Sequence, residues 1–217
     1  MKYIIATLLL ALTMSIAHAA PLNVTIWKPA LGKTALMLEH AMAAKAIQEK
    51  LGATVTIGME NTGNMHFAVA GFENWQAWAK YVAKLQKSKD WAAWQASAGQ
   101  APASEQVANY ILNVVTEPSD NDSGVYQVFI WKPENLRVGA MVESAMEAKA
   151  IHEKAGTSVA IAVDQKLNVH YIMNFKDLDA WAKYRDTPNP EFQAFMDRQS
   201  ETSNSELIEV YTASRLP

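Results

Sequence analysis

The four residues at 26–29, IWKP, recur letter for letter at 130–133, and the recurrence continues far beyond them. With the chain displaced by 104 positions, Trp27, Lys28 and Pro29 fall on Trp131, Lys132 and Pro133. Met37, Glu39, Ala41 and Met42 fall on Met141, Glu143, Ala145 and Met146, and the run AKAI at 44–47 falls on AKAI at 148–151. Val55, Ile57, Asn64 and His66 meet Val159, Ile161, Asn168 and His170. After a gap of one residue, AWAKY at 77–81 meets AWAKY at 180–184. The chain is a tandem duplication, so each copy of about 95 residues must build the same supersecondary unit. Glu117–Gly124, EPSDNDSG, holds no bulky apolar residue and reads as the linker. The expected division is a signal peptide at 1–19, a first unit at 20–116, a linker at 117–124 and a second unit at 125–217.

The remaining composition narrows the function classes. Of 217 residues 50% are hydrophobic and 19% charged, as in a folded domain with a core. A formal net charge of -3, with scattered Lys and Arg, offers no footprint for nucleic acid. MKYIIATLLLALTMSIAHA has one Lys, an apolar run and a small-residue close at Ala17-His18-Ala19, the pattern a signal peptidase cleaves. The run is shorter than the ~20 residues that span a bilayer. Export to a periplasm or beyond is expected, with no membrane attachment after cleavage. With no Cys there is no disulfide, thiolate nucleophile, thiolate metal site or covalent haem attachment.

Each copy gives the same order of elements. Asn23–Trp27 alternates as a strand does and Pro29 ends it. Lys33–Leu51 has helical spacing and Gly52 stops it. Thr54–Met59 and Met65–Ala70 flank the turn signal ENTGN as a hairpin. Asn74 caps a helix carrying Trp75, Trp78 and Leu85, followed by a shorter helical piece around Trp91 and Trp94. Ala108–Val115 is the last strand. In the second copy Pro188 and Pro190 interrupt the equivalent helical stretch. Strand, helix, strand, strand, helix, strand with right-handed crossovers is the ferredoxin-like βαββαβ unit, an α+β fold with one bare sheet face. Two copies cure that defect if they pack sheet to sheet as an intrachain α+β barrel.

The segment LDAWAKYRDTPNPEFQAFM at 178–196 joins an Ala-aromatic helix to a short piece with F-x-x-F. In this and in its architecture the chain resembles the dimeric α+β barrel superfamily, including antibiotic-biosynthesis-monooxygenase-like and NIPSNAP-like domains. That resemblance implies two ferredoxin-like units facing each other. Members with oxygenase or haem-degrading activity often carry a His where Tyr81 and Tyr184 stand here, so the resemblance does not transfer that chemistry directly.

Strand alternation places Val24, Ile26, Val55, Ile57, Phe67 and Val69 against the helices. The opposite face then carries Thr25, Trp27, Thr54, Thr56, Gly58, His66, Ala68 and Ala70. In the second unit it carries Gln127, Phe129, Trp131, Ser158, Ala160, Ala162, His170, Ile172 and Asn174. Such small residues imply either close packing of the sheets or a cavity between them. Trp27 beside His66, and Trp131 beside His170, are the expected pairs at one end of that face. An imidazole next to an indole suits a flat ligand, a metal or a proton shuttle; equally, it is a buried His packed on a Trp. His40 and His152 lack counterparts, and the Met residues follow core positions rather than a copper cluster. No motif names a cofactor, a metal or a nucleophile elbow.

Three functions fit. One is an exported binding or accessory protein with a pocket between the sheets, using Trp27, His66, Trp131, His170 and Asn174 on a small apolar or aromatic molecule. Another is a monooxygenase-like or isomerase-like enzyme acting on such a compound. The third is an interaction module without a ligand. A site histidine would be cheap to remove, whereas a structural one would cost ~1–3 kcal/mol by stranding its buried partners.

Overall fold

The computed structural model describes residues 20–119, 123–134, 137–202 and 205–216. The expected signal peptide and positions 120–122 of the linker lie outside the described residues.

The first unit runs β1 (Ala20–Pro29), α1 (Thr34–Lys50), β2 (Thr54–Glu60), β3 (Met65–Ala70), α2 (Trp75–Lys87), α3 (Lys89–Gln100) and β4 (Ser104–Thr116). The second repeats it as β5 (Val125–Pro133), α4 (Val138–Lys154), β6 (Ser158–Asp164), β7 (Val169–Phe175), α5 (Leu178–Asp186), α6 (Pro190–Thr202) and β8 (Ser205–Arg215). Local chemistry sets the boundaries. Gly52 and Gly156 take φ +97° and +85°, which a residue with a Cβ rarely adopts, so α1 and α4 end there. Asn74 and Asp177 cap α2 and α5 by accepting from the amides of Ala77 and Ala180.

All eight strands join in one closed antiparallel barrel, ordered β1-β3-β2-β8-β5-β7-β6-β4. Each unit keeps the ferredoxin-like order, and the two sheets meet edge to edge at β2–β8 and β4–β6. Closure removes free sheet edges, which a lone unit would expose to aggregation. The first seam is short, pairing Gly58–Glu60 with residues 213–215. Ahead of it, the Val55 carbonyl is covered by the Lys45 ammonium at 2.6 Å, and Lys149 repeats this on Val159. At Ile26/Trp27 and again at Ile130/Trp131 a bulge shifts the register against the last strand of the unit.

The helices cover the outside and pack two cores. One joins Met37, Ala41 and Ala44 to Val55, Ile57, Phe67 and Val69; the other joins Ala145, Ala148 and Ile151 to Val159, Ile161 and Met173. The faces of β1 and β5 are the reverse of those expected. Val24 and Ile26 stand opposite Ala68 and His66, inside the barrel, while Thr25 and Trp27 stand opposite Phe67 and Met65 on the helix side. Likewise Gln127, Phe129 and Trp131 stand opposite Met173, Tyr171 and Val169, outside. The barrel interior is itself a core, so alternation on β1 does not distinguish the face under the helices from the face inside.

Candidate functional site

The interior holds a polar cluster built across the two units. His66, 1% exposed, sits on the inner face of β3. Its Nε2 lies 2.6 Å from Glu60 Oε1 and its Nδ1 lies 2.9 Å from the Tyr126 hydroxyl, which comes from β5 of the other unit. A carboxylate only accepts, so Nε2 donates to it and Nδ1 accepts from Tyr126. Burial holds His66 below its ordinary pKa against the opposing pull of Glu60 and Glu209, which suits the neutral ring. Burial pushes the Glu60 carboxyl up, but hydrogen bonds from Thr62, His66 and Asn64 outweigh it and leave the group below its usual value. Gly58 makes the crossing possible: a Cβ there would stand 2.1 Å from the Tyr126 oxygen. The Tyr211 ring meets His66 edge-on at 4.5 Å.

The second copy varies the theme. His170, also 1% exposed, bonds Asp164 Oδ2 at 3.2 Å and meets the Tyr110 ring edge-on at 4.9 Å. Tyr110 donates to Glu209 Oε2 at 2.7 Å. Asn174 accepts from Arg215 Nη2 at 3.0 Å. Both histidines thus face the space between the sheets, but neither is accompanied by its tryptophan: Ile26 and Ile130 take the places opposite them, and Trp27 and Trp131 lie on the other face of the sheet. Removing either imidazole would take one hydrogen bond from a carboxylate that keeps others, from Thr62 and Asn64 at Glu60 and from Lys166 and Asn168 at Asp164, and without His66 the Tyr126 hydroxyl would lose its acceptor. Among the described residues no group of three or more His, Asp or Glu is placed to hold a metal ion.

Two cavities stand out on the described residues. One, of about 780 Å³, is a polar cleft beside Asn174, Ser158 and Tyr184, part of whose wall is the ion pair Lys154–Glu191. The other, of about 380 Å³, lies between the outer face of β1 and β3 and the three helices of the first unit. Trp27, Phe67, Trp78, Trp91 and Trp94 give it an aromatic lining. Its polar side chains are Asn23, Thr25, His40, Ser104 and the pair Gln48 and Tyr81. Tyr81 donates to Gln48 Oε1 at 2.6 Å, and burial pushes its pKa up to about 12, so the phenol stays protonated. Thr25 accepts from Trp27 Nε1 at 2.9 Å. Of the residues singled out from sequence, only Trp27 lines this cavity. Gln48 and Thr25 carried no motif, and Tyr81 was marked only as the last residue of the repeated AWAKY.

The second unit places bulkier side chains in the equivalent space. Phe129 stands where Thr25 does, Tyr171 where Phe67 does, and His152 where Gln48 does. Phe129, Phe192 and Tyr184 pack onto the second core, and the Phe192 ring lies 4.3 Å from that of His152. Burial pushes His152 down to about 4, leaving it neutral beside the Tyr184 hydroxyl.

No family model and no curated protein matches the sequence. Solved structures match in three dimensions over nearly the whole length of both chains. A proposed monooxygenase from Fusobacterium nucleatum aligns with TM-score 0.61 at 14% identity, over 93% of this chain and 94% of that one. An anthrone oxidase-like protein aligns with TM-score 0.54 at 13% identity, over 93% of each chain. A haem-binding protein from Thermus thermophilus aligns with TM-score 0.53 at 10% identity, over 92% of each. At these identities the likeness is one of fold, and it extends through both units. Closed eight-stranded barrel, outer helices and full-length superposition together give this chain the fold of the dimeric α+β barrel superfamily, with both halves of the barrel carried in one polypeptide.

Proposed function

We propose that the protein binds a compact, largely apolar aromatic molecule in the first unit's cavity, and that it does so after export. The asymmetry of the duplication carries this reading. Two copies of one unit share a fold, yet one keeps an aromatic-lined space of about 380 Å³ where the other places Phe129. That volume lies at the small end of ligand pockets, favouring a molecule of two or three rings over a macrocycle. Gln48 and Tyr81 supply the hydrogen-bonding end. Two structural neighbours, described as anthrone oxidase-like and haem-binding, bear names that involve flat ring systems. Binding is preferred to catalysis because the titratable side chains at the wall are His40 and a protonated Tyr81, with no carboxylate among them.

The test copies the second unit's solution into the first. Titration of 1,4-naphthoquinone and anthrone, followed by quenching of tryptophan emission, should saturate for the natural protein. Thr25→Phe should weaken it at least ten-fold, whereas Phe129→Thr should leave it unchanged. Unaltered quenching in Thr25→Phe would overturn the site. For export, protein from a periplasmic fraction should have its N-terminus within a residue or two of Ala20 by mass spectrometry; an intact Met1 form confined to the cytoplasm would overturn it.

A further inference from the structure

We infer that α3 is a lid on this cavity that opens by local unfolding, an inference that rests on the cavity being a ligand site. The duplication supplies an internal control, because α6 occupies the same place in the second unit. No residue of α3 is buried, although Trp91, Trp94 and Ala98 line the cavity. Its hold on the rest of the molecule is the packing of Trp91 and Trp94, stacked on each other within the helix at 4.4 Å, against the first core, and one side-chain hydrogen bond, from Trp94 Nε1 to the His40 carbonyl at 3.0 Å. Among the described residues no salt bridge reaches it.

Its twin is tied down at several points. In α6, Phe195 is 5% exposed, Glu191 pairs with Lys154 at 2.7 Å, Arg198 pairs with Glu147, and Gln199 accepts from Ser144 at 3.3 Å. The joints differ as well. Pro188 and Pro190 stiffen the entry to α6, whereas α2 passes to α3 through Ser88 alone, which ends one helix and caps the next. A 12-residue helix has little stability of its own without a buried face, and Gly99 weakens this one further. Elements with few buried contacts are the ones that open below the global unfolding free energy. Here a helix without a buried residue is also a wall of the cavity.

Hydrogen–deuterium exchange of the ligand-free full chain tests the lid directly. Amides of α3 should exchange at least ten-fold faster than those of α6. Gly99→Ala adds a Cβ that meets nothing within 4 Å, and Gly99 does not line the cavity. By favouring the helix it should slow α3 exchange about two- to five-fold. In stopped-flow mixing with 1,4-naphthoquinone, association and dissociation should slow by that same factor. Equal protection of α3 and α6, or ligand rates that ignore Gly99→Ala while exchange responds, would overturn the lid alone. Rapid α3 exchange with no binding of naphthoquinone or anthrone would overturn the ligand reading and the gating with it.

Discussion

Gln48 and His152 hold the same position in the two copies and meet the same neighbour, the tyrosine of AWAKY, in chemically different ways. Gln48 accepts from Tyr81 through an amide that carries no charge at any pH. His152 faces Tyr184 through an imidazole that burial pushes down to about 4, from an ordinary 6.5. Above pH 6.5 the ring is neutral in both folded and unfolded chains, and its contribution to stability is fully present. As pH falls from 6.5 towards 4, the unfolded chain takes up a proton that the folded one refuses, and stability is lost. The loss is on the order of 3 kcal/mol once the pH reaches about 4. His66, lowered for the same reason, acts in the same direction. His152→Gln copies the first unit and should remove its own share. Urea midpoints at pH 7 and pH 4.5 should therefore drop less in His152→Gln than in the natural chain; equal drops would show that His152 is not the acid-sensitive group. Sequence alone marked His66 and His170 as unusual, and they are, but it paired them with tryptophans on the far face of the sheet. Gln48 and Tyr81 were invisible as a pair because 33 residues and a helix–helix contact separate them.

Among the elements, legibility followed the covering of faces. Helices have one wet side, so their spacing and stops could be read: Gly52, the Asn74 cap and the break at Pro188 and Pro190 all stand where local chemistry puts them. The hairpins could be read from their turns. The faces of β1 and β5 could not, since helices cover one side and the opposite wall of the barrel covers the other, and apolar residues suit both. A shift of one residue exchanges the faces, which is why Trp27 was expected beside His66 and instead lines the outer cavity. The repeated lysine shows another element-level device. Lys45 and Lys149 each reach from the first helix of a unit to a carbonyl of its β2 or β6 strand, and Glu49 and Glu153 hold them one turn on. Each covers a strand at a point that the short seams leave unpaired. The matching letters AKAI contain that lysine, but only the closed barrel gives it a reason.

Across the whole molecule, fusion allows the two units to differ. A barrel made from identical chains would keep two identical cavities and two identical seams. Here the second unit places Phe129 in the equivalent space, and the contacts across the barrel have become specific. Tyr126 reaches His66, and Tyr110 reaches Glu209, only between unlike units. In a barrel of two first units, the position of Tyr126 would hold Leu22 and that of Glu209 would hold Ala108. His66 would then lose its hydroxyl donor inside a core, a cost of about 1–3 kcal/mol at each of the two copies of this histidine. The linker adds effective concentration, but the choice of partner is written in the residues that meet across the barrel. Residues 20–116 and 125–217, produced together as separate chains, should therefore assemble as a one-to-one pair in preference to either self-pair, as native mass spectrometry would read. Tyr126→Phe in the second piece should shift that preference towards self-pairs, because it withdraws the hydroxyl that His66 accepts from. A statistical mixture of the three pairs, unchanged by Tyr126→Phe, would mean that the linker alone brings these halves together.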